Sequence, residues 1–281
     1  MRMPFPEIDV VALDCGRVRV RPKNIRGTGT PMLWWTLTAR TWSPWLPVHA
    51  FLVSHPRGTL LFDTGQSPAS LAPGYYPRGL VGWVFRRQAE FRVEVEHGLT
   101  AQLAAAGSSI AEVDLVAVSH LHQDHAGNVA LFGETPVLLS RAEHSLLSEK
   151  DPSLHGVLVD HVGAANYRPV DFPPSADSEI AMFEGAHDVF GDGALVLVPT
   201  PGHTSGSMSL LVRRAGAAPL LLVGDLTYDP ALLEDGIVPD VGDRRAQREA
   251  SRRVRELIET LPGLVVLAAH DPEAETRLAS A

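Results

Sequence analysis

Leu115-Val116-Ala117-Val118-Ser119-His120-Leu121-His122-Gln123-Asp124-His125 runs from an apolar segment straight into three imidazoles and a carboxylate. The first part is an apolar run of strand length, as a buried strand requires. The second packs into six residues the side chains that zinc and similar divalent ions prefer as ligands. A solvated loop or a capped helix start would need neither Asp124 among the histidines nor more ligand candidates downstream. A ligand cluster where a strand gives way to a loop sits where open α/β sheets bind their ligands.

The same pattern recurs. His203 lies in Thr200-Pro201-Gly202-His203-Thr204, after the apolar run 194–198. Asp225 follows Leu220-Leu221-Leu222-Val223-Gly224, and His270 follows Leu264-Val265-Val266-Leu267-Ala268-Ala269. Four strand patterns that each close on a ligand-type residue imply one rim carrying a metal cluster. Val48 to Asp63 reads as a hairpin about His55-Pro56-Arg57-Gly58, ending in Asp63-Thr64-Gly65. Asp63 there can orient a histidine ligand through a hydrogen bond, or simply cap a turn.

A chain of 281 residues can bury a large core, and no linker composition divides it, so one domain over 1–281 is expected. Its strands and helices suit two packed sheets with helices outside. Hydrophobic residues at 45% and charged residues at 20% are ordinary for a soluble enzyme. The net charge of −9 leaves no basic surplus to neutralise a phosphate backbone, which argues against a nucleic-acid partner. Cys15 is the only cysteine, so no intramolecular disulfide forms, and the cytoplasm is the default compartment. Met1-Arg2-Met3-Pro4-Phe5-Pro6 lacks the apolar stretch of a signal peptide, and no apolar run is long enough to span a bilayer. Membrane insertion is therefore not expected.

Residues 8–20 alternate as a strand does, interrupted at Asp14-Cys15-Gly16. Residues 22–47, rich in Pro and Gly, read mostly as loop; they also hold Trp34, Trp35, Trp42 and Trp45, either a satellite core or subunit contact, or a wall of a substrate cleft. Residues 66–98 form a long connection with Tyr75, Tyr76, Trp83, Phe85 and Phe91, expected as a lid or substrate-binding insertion, with Trp83 and Phe85 as candidate substrate contacts. Residues 100–106 and 141–149 read as short helices and 151–178 as an irregular insertion, whose His155 and His161, like His144, are expected to be surface or structural. Arg244 to Thr260 is the clearest helix, with Asp243 as N-cap and arginines paired to Glu249, Glu256 and Glu259 on a solvated face.

The order of these motifs resembles the metallo-β-lactamase superfamily: His-x-His-x-Asp-His at 120–125, Pro-Gly-His-Thr at 201–204, Gly-Asp at 224–225 and a last histidine at 270. That resemblance implies an α/β fold of the αββα sandwich type, two mixed sheets with helices on both outer faces. It implies two divalent metal ions, zinc first, with iron, cobalt or manganese as alternatives. His120, His122 and His203 would hold one, Asp124, His125 and His270 the other, with Asp225 bridging. Within the superfamily the chain is most similar to the N-acyl-homoserine lactone lactonases, the quorum-quenching enzymes. Asp225-Leu226-Thr227-Tyr228 carries that similarity furthest, because Tyr228 matches the tyrosine that hydrogen-bonds the substrate carbonyl in those enzymes. A packed tyrosine with a satisfied hydroxyl is the alternative.

The implied reaction is hydrolysis of a carboxylic ester, opening a lactone that carries an acyl chain by attack of a metal-bridging hydroxide. Tyr228 would assist at the carbonyl oxygen and Asp124 would carry the proton to the leaving oxygen. The alternatives are a glyoxalase II-like thioester hydrolase and another lactone or aryl-ester hydrolase of the same superfamily. The glyoxalase resemblance includes a C-terminal helical extension, and the eleven residues from 271 to 281 leave little room for one. A homodimer is the assembly that exposed tryptophans would suggest.

Overall fold

The computed structural model describes residues 5–281, so Met1 to Pro4 of the N-terminal stretch lie outside the described residues. In chain order its strands are β1 (Asp9–Val20), β2 (Leu46–His55), β3 (Gly58–Phe62), β4 (Ala89–Arg92), β5 (Leu115–Ala117), β6 (Val137–Ser140), β7 (Tyr167–Val170), β8 (His187–Asp188), β9 (Leu195–Pro199), β10 (Met208–Val212), β11 (Leu220–Leu222) and β12 (Val265–Leu267). They form two mixed sheets, ordered β4-β1-β2-β3-β5-β6-β7 and β12-β11-β10-β9-β8.

The uninterrupted apolar runs become strands that are buried on both faces. Along β9, Leu195 and Leu197 point between the sheets, where they meet Phe51, Leu60, Phe62, Met208, Leu210 and Leu267. Val196 and Val198 point to the other side, onto a second cluster with Ala250, Val254 and Leu257 of the helix Arg244–Thr260. The outer face of the larger sheet is covered in the same way: Val48, Ala50 and Leu52 of β2 meet Leu99 and Leu103 of the helix Leu99–Ala105. Side chains alternating with period 2 thus build three apolar layers and an αββα order.

Topology puts the strand ends on one rim. β9 and β11 both run antiparallel to β10, and β12 runs parallel to β11, so three strands of the smaller sheet end at the same edge. In the larger sheet β3 and β5 are parallel neighbours. Asp63, His120, His203, Asp225 and His270 all follow the C-terminal ends of these strands.

The interruption in β1 is a bulge: Asp14 pairs with His49 but Arg17 with Pro47. The helix 244–260 has the expected limits, and Asp243 Oδ1 accepts from the amides of Arg245 and Ala246. Its Arg253 pairs with Glu184 as well as Glu249, whereas Glu259 forms no ion pair among the described residues. Three stretches differ from expectation. The 22–47 segment contains the helices Pro22–Ile25 and Met32–Thr38, because Trp35 and Thr36 find buried sites that pin the second one down. The 66–98 connection holds the helix Leu80–Gln88 and strand β4, which completes the edge of β1. The 151–178 segment contributes β7, paired in parallel with β6. In each case tertiary burial and edge pairing override a Pro- and Gly-rich local signal.

Candidate metal centre

The turn after β5 is held by Asp63. Its Oδ1 accepts from the Ser119 amide at 2.6 Å, and its Oδ2 accepts from Ser119 Oγ at 2.9 Å and lies 2.8 Å from His125 Nδ1. Asp63 also adopts φ 61°, a left-handed conformation that aspartate tolerates better than most residues. It therefore both shapes the turn after β3 and orients an imidazole.

Three of the other four histidines, His120, His122 and His270, are fixed from behind in the same manner, whereas His203 Nδ1 is buried without a partner. Ser119 Oγ lies 3.0 Å from His120 Nδ1. His270 Nδ1 lies 2.8 Å from the Pro47 carbonyl, and His122 Nε2 lies 3.1 Å from the His155 carbonyl. A carbonyl only accepts, so the ring nitrogen facing it carries the proton and the other nitrogen faces inward. Gly156 lets the His122 ring lie against the backbone: φ there is +78°, and a Cβ would fall 2.3 Å from His122 Nε2.

The inward atoms converge. Three trios each bring their ligand atoms within 4.8 Å of one another: His120, His122 and His203; His120, His125 and Asp225; Asp124, His125 and His270. His120 and His125 each belong to two trios, so the three form one continuous cluster. His203 Nε2 lies 2.9 Å from His122 Nδ1 and 3.4 Å from Asp225 Oδ2. Asp225 Oδ1 lies 3.1 Å from His125 Nε2 and 3.2 Å from His270 Nε2, and Asp124 Oδ2 lies 3.5 Å from His270 Nε2. His120 Nε2, His125 Nε2, His270 Nε2 and Asp225 Oδ1 are all buried without a properly aligned hydrogen-bond partner. Buried polar atoms are normally satisfied by aligned hydrogen bonds, so four that converge without one fit divalent cations with N and O ligands.

The electrostatics follow from burial and carboxylates. Burial pushes His203 down to about 3 and His120 well below the ordinary imidazole range, which keeps both rings neutral with a lone pair to offer. Burial also opposes the charged form of His125 and His270, but paired carboxylates together outweigh it, Asp225 with Asp63 at His125 and Asp225 with Asp124 at His270. His125 is raised well above the ordinary value and His270 to about 10. Desolvation likewise opposes ionisation of Asp225 and Asp124, yet the imidazoles hold both carboxylates below their ordinary range. Tyr228 donates its hydroxyl to Asp225 Oδ2 at 3.1 Å and stacks on His270 at 5.0 Å. Burial, then Asp225 and Asp124, raise its pKa well above that of a free tyrosine, so it stays a protonated donor.

A cleft of about 950 Å³ opens from His122 and His203. Its walls are mostly apolar, with Met32, Leu80, Val84, Phe85, Leu154 and Pro201 among them. Of the two aromatic candidates, Phe85 lines this cleft and Trp83 does not; Trp83 sits on the outer side of the same helix. The tryptophans of 34–45 do not line it either. That segment's neighbour, residues 29–32, does so instead, while Trp42 and Trp45 lie under the guanidinium groups of Arg21 and Arg92.

Two contributors carry no motif in the sequence. Glu143 is fully buried and accepts from the Leu121 amide (2.9 Å), Thr204 Oγ1 (2.6 Å) and the Gly206 amide (3.1 Å), which ties the 120–125 turn to the turn bearing His203. His155 acts through its carbonyl, which any residue possesses. A glutamate three places after Ser140, which caps its amide at 3.1 Å, was the one available signal for Glu143, and it reads equally as a solvated helix start.

A family model described as the metallo-beta-lactamase superfamily matches residues 43–270. The chain is 30% identical over 240 residues to the N-acyl homoserine lactonase AttM of Azorhizobium caulinodans, covering 82% of this chain and 83% of that protein. Its fold is similar to that of an N-acyl homoserine lactone hydrolase solved with the product N-hexanoyl-L-homoserine at its catalytic metal centre, with TM-score 0.72, 22% identity, and coverage of 98% and 96% of the two chains. It is also similar to AidC, a dizinc quorum-quenching lactonase solved in complex with a product, with TM-score 0.62, 16% identity, and coverage of 97% and 90%.

Proposed function

The chain belongs to the metallo-β-lactamase superfamily, and we propose that it is a lactonase that hydrolyses N-acyl-homoserine lactones or closely related lactones with two divalent cations, zinc first. His120, His122 and His203 would hold one, Asp124, His125 and His270 the second, and Asp225 both. The observation that carries this reading is the position of Tyr228, a buried phenol hydrogen-bonded to Asp225 where the ligand trios meet. When bound, the cations supply Lewis acidity toward an ester carbonyl and bring the pKa of water to near neutrality.

The protein's own groups do the rest. Tyr228 would turn its one O–H from Asp225 to the carbonyl oxygen of a bound substrate as negative charge develops there. Asp124, ionised at neutral pH, takes the proton lost by the attacking water and passes it to the leaving alkoxide as the C–O bond breaks. The product is an opened hydroxy acid. The cleft formed by Met32, Leu80, Val84, Phe85 and Leu154 would receive the acyl chain, a reading supported by the place of residues 80–88 of the 66–98 insertion in its lining. We assign the chain one domain and the cytoplasm as its compartment; no helix among the described residues is long and apolar enough to cross a membrane.

A pH-stat comparison tests the substrate class. Metal-loaded protein should release acid from acyl-homoserine lactones and much less from S-lactoylglutathione or a cephalosporin. Acid released from the thioester alone would overturn the lactonase reading in favour of a glyoxalase II-like activity.

A further inference from the structure

The helices Met32–Thr38 and Leu80–Gln88 stand side by side at the mouth of the cleft. Arg87 of the second donates to the carbonyls of Leu37 (3.2 Å) and Ala39 (2.8 Å) at the end of the first. Together they present a large apolar surface to solvent: Leu33 is 67% exposed, Trp34 64%, Leu80 75% and Trp83 41%. Leu154, 75% exposed, adds to it across the cleft. Scattered exposed apolar residues need no explanation, but a contiguous group of this kind marks a contact surface.

The charges around this surface say what it contacts. Between Asp14 and Glu90 the chain holds a single acidic residue, the buried Asp63. Arg40, Arg78 and Arg86 flank or sit on the two helices, all exposed, and none is in an ion pair among the described residues. Elsewhere the pattern is mixed: Arg244, Arg252 and Arg253 meet carboxylates, while the exposed Arg168, Arg245 and Arg248 form no ion pair among the described residues. A protein with net charge −9 thus places three arginines without ion pairs beside this exposed group of leucines and tryptophans, in a stretch of chain with no exposed carboxylate. Tryptophan and leucine beside unpaired arginine is the composition that rests in the headgroup region of an anionic bilayer, with rings at the interface and cations against lipid phosphates.

We propose that this face docks the protein peripherally on an anionic lipid bilayer, with the mouth of the cleft turned toward it. No helix among the described residues is long and apolar enough to span the membrane; the side chains of Leu33, Trp34, Leu80 and Trp83 lie in the interface. Met32, Leu80 and Leu154 belong both to the exposed face and to the cleft wall, so an amphiphile dissolved in the bilayer would reach the site along a continuous apolar path. The inference stands without the lactonase reading, because its test measures binding.

The intact protein would be sedimented with vesicles of mixed phosphatidylcholine and phosphatidylglycerol and with vesicles of phosphatidylcholine alone. It should partition onto the anionic vesicles only, and less so as salt is raised. Arg78→Gln combined with Arg86→Gln should lower that partitioning by about thirtyfold. Leu33→Ser combined with Trp34→Ser should abolish it, and both pairs should leave turnover of a short-chain soluble lactone intact. Brominated lipid should quench the tryptophan fluorescence of the parent and not that of the Trp34 variant to the same extent. No partitioning, or equal partitioning onto both vesicle types, would overturn the proposal. So would sedimentation velocity showing a dimer that Trp34→Ser dissolves, in a protein that ignores vesicles: the face would then join two copies of the chain.

Discussion

Single atoms decide how the cluster behaves. Tyr228 carries one hydroxyl whose loss changes nothing in volume beyond an oxygen. Tyr228→Phe is expected to keep full metal content while turnover falls about tenfold to a hundredfold, in line with removal of part of an oxyanion donor set. An unchanged rate would take Tyr228 out of the reaction. Gly156 offers a complementary test from the other side of the centre. A methyl group there would press on the His122 ring and break its hydrogen bond to the His155 carbonyl. Gly156→Ala should weaken metal retention about tenfold to a hundredfold, read by competition with a chromogenic chelator. Metal retention equal to that of the parent would show that the carbonyl contact does not orient His122.

Elements are joined to the centre by buried polar groups. Glu143 binds three donors from two turns, and none of them is charged. In Glu143→Gln the amide NH₂ must face one of those donors. A loss of about 1–3 kcal/mol in urea unfolding of chelator-treated protein is expected; stability equal to the parent would mean that the turns are held by other contacts. The helix 244–260 depends on Asp243, whose own amide donates to the Gly202 carbonyl at 2.7 Å beside His203. Asp243→Ala should cost about 1 kcal/mol, visible as a lower Tm. It removes only the side-chain cap, so the effect should appear in stability before it appears in metal content.

For the whole molecule, two stacked sheets deliver ligands from four strand ends, and the orienting Asp63 from a fifth, to one rim, and the charge state of that rim links metal binding to protons. His125 and His270 are raised above their ordinary values by carboxylates, so at neutral pH they hold protons that a cation must displace. Adding zinc to chelator-treated protein in weak buffer should therefore acidify the solution, and apparent affinity should rise with pH through the neutral range. Zinc uptake without proton release would show that both imidazoles are neutral before the metal arrives. The raised pKa values also set the sign for the metal-free fold: the stability these ion pairs contribute is present below the ordinary imidazole value and is lost as pH rises through the folded value.

Much of this was written locally. The strand-then-ligand words at 115–125, 194–203, 220–225 and 264–270, and the helix at 244–260 with its cap, are legible because period, run length and capping act over a few neighbouring residues. Chain order alone was enough to name seven ligand-type side chains. What it left open depended on partners far away in the chain. Asp63 turned toward His125, 62 residues on, only because β3 and β5 lie side by side. Glu143 met Thr204 across 61 residues, and the backbone of His155 met His122 across 33. The Pro- and Gly-rich stretches at 22–47, 66–98 and 151–178 gained helices and edge strands, and Phe85 rather than Trp83 faced the cleft, because burial against another layer outweighs weak local preference. A sequence spells out which side chains can bind and bond; which of them meet is settled by the packing of sheets, where the free energy of burial is gained.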